Sequence, residues 1–571
     1  MAETANIKPQ KQLNINSVLQ DDARISKNFF TSDLILQHYL KYKFSDDASK
    51  YMYNKLDRLG GVAATELDEH SKLADKNVPE LIKRDPKGNT INDIRFHPSY
   101  ARMLEVAVES EMFHVKWEPT LRNRYVKERN SLGFSAGYLF AMGEMGLYCP
   151  LCMTDGAARL IDKFIEEPQR SNLLDRIQTL DPKRLFTGAM FLTEKSGGSD
   201  VGANLVTAKK TENGEYLLNG EKWFCSNANA DLIFALARTD QTISGLKGLS
   251  IFLIKKHLET GEKNPIDIIR LKDKLGVRSM ASAECMLTDT KAQLVGSEFE
   301  GFAVMAEMIN LSRIYTAMGS LSGSRRALIE AYQFLKFRTS FGKTAIEHPL
   351  IRRKLEELGS MHVANFYLVW RSIEALDNSE NGHKNEAELL RLITPMSKKW
   401  VSENAVYMAR ECMELMGGIG YIEDGAMPKI LRDLLVNPIW EGAGNIMILD
   451  MLRAVEKTNS FEIICNEIES SALANNSHTD WILERLQELT VFYPQLMKMN
   501  RETRETSAKL FFEKLTNLYQ ISLLAKQTSS DNSPWIDISI EYLKGAYTSP
   551  KLEEDTALSN KDIDQLIAWE F

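Results

Sequence analysis

The hydrophobic period of this chain changes twice, and that double change restricts its fold more than any other feature. Up to about residue 185, apolar side chains recur at three- and four-residue spacing, as over 100–115 and in the set Leu160, Ile161, Phe164 and Ile165. That is the spacing of one helical face. Pro182 and the residues after it break the pattern. From 186 to about 292 the apolar runs shorten to strand length, as at 232–237 and 249–254. Here Asn219-Gly220, between Tyr216-Leu217-Leu218 and Lys222-Trp223-Phe224, predicts a two-residue hairpin turn. Helical spacing then returns in Ile314, Met318, Leu321, Leu328 and Ile329, and in Ala405, Met408, Ala409, Cys412 and Met416, which Gly417-Gly418 stops. The expected class is α+β and multidomain. A mobile N-terminal tail covers 1–25, a helical domain 26–185, a β domain 186–300, a helical bundle 301–458, and an acidic helical appendage 459–571.

A chain of 571 residues is too long for one core, so several packed units are required. Net charge is −8, with 18 acidic and 10 basic residues in 461–571, which leaves the rest neutral overall. No global basic field draws such a chain to nucleic acid or anionic membrane. The apolar runs are far shorter than the ~20 residues that span a bilayer. The N-terminus MAETANIKPQKQ has no apolar core for a secretory signal. Cys149, Cys152, Cys225, Cys285, Cys412 and Cys465 are scattered among apolar neighbours, as in reduced, buried thiols of a cytoplasmic protein. Cys149-Pro150-Leu151-Cys152 is formally a CxxC, but no second pair or histidine cluster completes the four ligands that zinc takes.

Four short stretches carry polar chemistry. In Thr193-Glu194-Lys195-Ser196-Gly197-Gly198-Ser199-Asp200, two glycines let backbone approach a ligand, and Thr193 and Ser199 add hydroxyls suited to phosphate or ring atoms. The plain alternative is a Gly-Ser turn between strands. Trp223-Phe224-Cys225-Ser226 reads as an aromatic stacking wall with a hydroxyl, or as β-core aromatics. Arg338-Thr339-Ser340-Phe341-Gly342-Lys343 offers an arginine fork for pyrophosphate, or a solvated helix end. Glu441 follows Ile439-Trp440 and precedes Ile446 to Leu449. Such a setting desolvates a carboxylate and raises its pKa, which suits a base for a weakly acidic C–H. Its plain alternative is a first-turn glutamate facing a helix dipole.

In order and spacing, these stretches resemble the acyl-CoA dehydrogenase superfamily. The matches are T-E-x-x-G-G-S-D, K-W-F-x-S, K-L-G-V-R at 274–278, R-x-S-F-G at 338, G-G-I-G-Y at 417–421 and W-E-G at 440. T-E-K-x-G-G-S-D, I-W-E-G-x-G-N-I-M-x-L-D, His97-Pro98 and Cys149-Pro150, with the C-terminal extension, are similar to the AidB-like branch, associated with the adaptive response to DNA alkylation. The resemblance implies an N-terminal α-helical domain, a central β-barrel-like domain and a C-terminal four-helix bundle, with FAD between the last two. Met190, Phe191, Leu192, Thr193, Gly198 and Ser199 then fall on the flavin-binding stretch. Trp223, Phe224 and Ser226 fall at the ring contacts. Arg338 and Phe341 fall where a neighbouring subunit reaches FAD, which implies a homo-oligomer, commonly a tetramer. Glu414, Gly417, Gly418, Trp440, Ala443 and Asn445 also fall around the cofactor. Arg313 matches an arginine near the substrate pocket, and Glu441 the catalytic base.

The implied reaction removes the proton α to an acyl-CoA thioester through Glu441 and transfers the β-hydride to flavin N5. The Glu441 N–H and a ribityl hydroxyl polarise the carbonyl. An electron-transfer flavoprotein is the implied acceptor. Trp440, Ala443, Asn445 and Glu414 depart from the general family, where tyrosine, threonine, Glu or Gln, and glutamine are usual. The AidB-like branch is known for weak dehydrogenase activity and for DNA binding through its C-terminal region. Two alternatives to dehydrogenation are thus a DNA-associated flavoprotein and an acyl-CoA-binding protein without turnover. The appendage's net −8 disfavours DNA, although Arg501, Arg504 and Lys509 could share a helix face.

Overall fold

The computed structural model describes residues 27–474, 477–528, 533–548 and 559–568, so the expected N-terminal tail lies outside the described residues. The first unit contains α1 (Leu34–Lys43), α2 (Asp46–Ala64) and α3 (Glu66–Lys76), then strands β1 (Glu80–Arg84) and β2 (Thr90–Arg95). It continues through α4 (Pro98–Glu109), α5 (Arg129–Gly143), α6 (Tyr148–Phe164) and α7 (Gln169–Ile177). Local chemistry sets its helix starts. Ser45 caps α2 by accepting from the Ala48 N–H, with Asp46 and Asp47 in the first turn. Pro98 opens α4 at the position where a missing N–H costs nothing.

The β1–β2 hairpin corrects the all-helical expectation for this unit. It pairs from Glu80↔Arg95 to Arg84↔Thr90. The signal was local: Asp85-Pro86-Lys87-Gly88-Asn89 is a turn sequence, and Gly88 has φ +88°. The hairpin reaches the barrel through Lys83, whose Nζ donates to the Ile268 carbonyl at 2.6 Å.

Seven strands follow: β3 (Gly188–Phe191), β4 (Thr207–Lys210), β5 (Tyr216–Ser226), β6 (Leu232–Arg238), β7 (Leu249–Lys255), β8 (Ile266–Leu271) and β9 (Ser282–Leu294). The sheet runs β3-β6-β4-β5-β9-β7, and β6 also pairs β7, so five strands close on themselves. The expected turn at Asn219-Gly220 is not there. β5 runs straight through it, with a register shift opposite β9 between Leu218 and Gly220. Gly220 is required because a Cβ there would lie 2.8 Å from Val206 Cγ2. The turn is made six residues earlier, at Asn213-Gly214, where the Thr211 N–H donates to the Glu215 carbonyl at 2.8 Å and Gly214 has φ +84°.

The bundle comprises α8 (Gly301–Phe337), α9 (Pro349–Glu380), α10 (Lys384–Met416), α11 (Met427–Leu434) and α12 (Gly444–Lys457). α10 packs on α8, α9 and α12. The final helices are α13 (Ser460–Leu473), α14 (Thr479–Lys498), α15 (Arg501–Thr528), α16 (Pro534–Tyr547) and α17 (Asn560–Ile567). These do not form a separate core. One apolar cluster runs from Phe29 to Ile567 through all helical units, and the barrel interior is a second. The Arg325 guanidinium, in the middle of α8, donates to the Ile567 carbonyl at 2.8 Å.

Two of the three basic residues that could share a helix face in the appendage are engaged with acids. Arg501 pairs with Glu505 at 2.7 Å and Arg504 with Glu456 at 3.3 Å. Among the described residues no helix is long and apolar enough to cross a membrane, and no cluster of three or more His, Cys, Asp or Glu is placed to hold a metal.

Candidate active site

The first loop leaves β3, whose side chains alternate between two cores. Ala189 and Phe191 fill the barrel, while Met190 and Leu192 lie against the helical cluster. The Phe191 side chain is therefore turned away from any ligand, and only its backbone is available. Beyond it, Glu194 and Gly197 exchange backbone hydrogen bonds of 3.2 and 3.1 Å. Gly197 is demanded by the loop itself, since a Cβ would stand 2.1 Å from the Asp200 carbonyl oxygen. Gly198 is different. A Cβ there meets only Thr193 Cγ2, at 3.6 Å, so that side of the loop is open.

Glu194 is buried and makes a 2.6 Å ion pair with Lys222, which is also buried. Its carboxylate accepts from the Leu205 and Val206 N–H groups as well. Glu194 is thus the fixing bolt of this loop, a role the sequence did not reveal. The Trp223 N–H donates to the Thr193 carbonyl at 2.9 Å, which brings the aromatic stretch beside the glycine loop. Phe224 has φ +54° and is exposed. Lys272 Nζ sits 3.6 Å from the Trp223 ring centroid and 4.3 Å from that of Phe224. Ser226 ends β5 opposite Ser282.

The second loop joins α11 to α12. Glu441 lies in it with φ +56°, followed by Gly442 at φ +101°. A positive φ costs a glutamate about 1–3 kcal/mol and persists only where the surroundings enforce it. Arg313 supplies one restraint: its Nε donates to the Glu441 carbonyl at 3.1 Å, and its Nη1 pairs with Asp450 at 2.6 Å. Arg391 holds the other side of Asp450, also at 2.6 Å. Burial raises the Glu441 carboxyl above the ordinary glutamate range, against the pull of Arg313, Ser312 and Lys398. No hydrogen bond engages the Glu441 N–H among the described residues. The Trp440 indole N–H is buried without a partner among the described residues. Ala443 and Asn445, at the start of α12, are exposed.

The remaining expected residues divide. Gly417 caps α10 with φ +63°, and Cβ atoms at Gly417 and Gly418 would meet nothing within 4 Å. Glu414 points into solvent and pairs with Arg410 at 2.6 Å, so its side chain is turned away from the two loops. Arg338 ends α8 and leads into a small hairpin, at whose tip Phe341 is 97 % exposed. That hairpin bonds within itself and to the start of α9, not to either loop. Two residues the sequence reading passed over, Lys398 on α10 and Ser312 on α8, complete the second loop's surroundings with the free thiols Cys149 and Cys152 on α6. Cys152 Sγ lies 3.1 Å from Ser312 Oγ, and burial pushes both thiols up, as befits inert cysteines. The K-L-G-V-R stretch docks the barrel on the bundle, with the Val277 N–H donating to Asp433 at 2.6 Å.

Comparisons with known proteins bear on this arrangement. Residues 20–180 match the AidB N-terminal domain, 189–290 the acyl-CoA dehydrogenase middle domain and 300–456 its C-terminal domain. The putative acyl-CoA dehydrogenase AidB of Escherichia coli is 32 % identical over 85 % of this chain and 88 % of its own length. Acyl-CoA dehydrogenase family member 11 of Caenorhabditis elegans is 29 % identical over 81 % of this chain and 76 % of its own. Among solved structures, the apo form of Bd2924 superposes with a TM-score of 0.82 at 31 % identity, covering 88 % of this chain and 98 % of that one. Caenorhabditis elegans ACDH-11 in complex with C11-CoA superposes at 0.85 with 26 % identity, covering 95 % of each chain. With its helical, barrel and bundle units in family order, the chain belongs to the acyl-CoA dehydrogenase family, within its AidB-like branch.

Proposed function

We propose that this protein is an FAD-dependent acyl-CoA dehydrogenase in which Glu441 is the base. One observation carries the reading: Glu441 is pinned through its own carbonyl while burial raises its carboxyl against the pull of Arg313, Ser312 and Lys398, with no salt bridge to it among the described residues. Such a carboxylate takes a proton from carbon near neutral pH. The open faces at Gly198, Gly417 and Gly418, the exposed Phe224 and the unpartnered Trp440 N–H support a flat, polar-edged cofactor. In this reading Thr193, Ser199, Ser226 and the backbone of 190–193 hold it, and bound FAD supplies the acceptor for the β-hydride. The free Glu441 N–H is the donor for the thioester carbonyl, and Glu441 Oε receives the α-proton. The nearly complete exposure of Phe341 supports a second copy covering the Arg338–Phe341 hairpin, hence a homo-oligomer. An electron-transfer flavoprotein is the expected acceptor.

The acyl class is argued from the relative bound to C11-CoA, which makes a medium-length chain the first candidate. The test is anaerobic mixing of the purified, flavin-loaded protein with butyryl-, octanoyl-, undecanoyl- and palmitoyl-CoA, followed by visible absorbance. Bleaching with at least one thioester is expected. Absence of bleaching with all four overturns the reading, whether or not the thioesters bind.

A further inference from the structure

Glu441 occupies a backbone conformation that its own side chain disfavours, so something outside the loop must impose it. α10 provides the means. Lys398 has no exposed surface, yet it carries an ammonium into the bundle. Its Nζ donates to the Pro438 carbonyl at 3.0 Å and to the Gly442 carbonyl at 2.6 Å. These acceptors lie on either side of Glu441, and Arg313 takes the Glu441 carbonyl between them. Upstream, Asn437 Nδ2 donates to Ser320 Oγ at 2.9 Å. Three carbonyls of one five-residue turn are therefore gathered by two cations from two different helices. Charge-assisted bonds of this kind are the strong ones, and a buried ammonium without them is costly.

We infer that Lys398 is a positioning residue, a two-point clamp that holds Glu441 in its left-handed conformation and aims its carboxylate at the substrate. This rests on the proposed role of Glu441 as the base. Burial lowers Lys398 to about 7, with Glu441 and Glu403 pulling it up and Arg313 and Lys399 pushing it down. The clamp is consequently charged below that pH and weakened above it.

The test compares the full-length, flavin-loaded protein with its Lys398→Met variant, which keeps length and removes the donor. The first readout does not need turnover: hydrogen–deuterium exchange in a peptide spanning residues 436–446. Loss of the clamp is expected to speed exchange there about ten- to hundredfold, with distant peptides and flavin content unchanged. In the unmutated protein, protection of the same peptide is expected to fall between pH 6 and pH 9 beyond the intrinsic pH dependence, bracketing the Lys398 value of about 7. This second measurement stands even where the variant does not fold. The third readout is flavin bleaching by the preferred acyl-CoA. The bleaching rate is expected to drop at least about tenfold at unchanged thioester affinity, and the alkaline limb of its pH profile to vanish. Unchanged exchange in Lys398→Met, or in the unmutated protein protection that is flat with pH, overturns the clamp. Failure of every thioester to bleach the unmutated protein overturns the dehydrogenase reading and leaves the exchange result to decide the clamp.

Discussion

The two loops each hold a glutamate, and the two carboxylates have opposite fates. Glu194, on the barrel loop, is buried against Lys222 and accepts two backbone N–H bonds, so its charge is fully occupied. Glu441, on the bundle loop, is held by its carbonyl while burial raises its carboxyl. In sequence both look alike, a glutamate near glycines. The difference lies in what long-range packing brings to each. A carboxylate in a close ion pair is part of the frame, whereas one whose desolvation outweighs the pull of more distant cations keeps a raised pKa.

The sharpest way to break the comparison is to neutralise each carboxylate system in turn. Glu441→Gln is expected to slow flavin bleaching by about 10²–10⁴-fold, with the fold and flavin intact by absorbance. Lys222→Met is expected to do the reverse, costing about 3–5 kcal/mol in denaturant unfolding because it strands Glu194 in the interior. If Lys222→Met melts normally, or Glu441→Gln keeps its rate, the two loops are not distinguished by their partners.

The glycines refine the contrast. Gly197→Ala drives a Cβ into the Asp200 carbonyl and is expected to cost about 1–3 kcal/mol of stability. Gly198→Ala faces open space, so its stability change is expected within about 0.5 kcal/mol, while flavin retention on a desalting column falls. The smallest effect is a pH effect on stability. Because the folded Glu441 pKa is raised, folding binds a proton more readily than the unfolded chain does. Its contribution to stability is present below the unfolded glutamate value and is lost as pH rises through the folded value. At neutral pH Glu441→Gln is therefore expected to be slightly more stable than the unmutated protein in urea unfolding, and this gain should shrink in acid.

Much of the architecture could be read from spacing alone, since the helical and strand periods are local properties. The failures were of two kinds. At Asn219-Gly220 the turn chemistry was correct in type and wrong in place, because two Asn-Gly pairs occur six residues apart and only strand pairing decides which one turns. At 80–95 a turn signal was overlooked inside a helical context. The candidate site shows a different limit. The desolvation of Glu441 was legible from its apolar neighbours. Lys398 was not, because its acceptors are backbone carbonyls about forty positions away, and a carbonyl leaves no mark in a sequence. Phe191 was assigned by motif to the ligand side, although strand alternation turns its side chain inward, and Glu194 was given no role although it anchors the loop through Lys222.

The contact between Arg325 and the Ile567 carbonyl has a consequence for how the protein is made. Asp33 lies 3.5 Å from the same guanidinium, so positions near both ends of the described chain meet at one buried cation. The partners Arg325 and Ile567 are 242 residues apart. At a synthesis rate of roughly 5–20 residues per second, the carbonyl arrives about 10–50 s after the arginine. During that interval Arg325 has Asp33, already synthesised, as its buried partner and still awaits this carbonyl. The barrel, whose interior is a separate cluster, can close while synthesis continues, whereas the Asp33–Arg325 pair of the helical body gains the Ile567 carbonyl only when the last described helix is made.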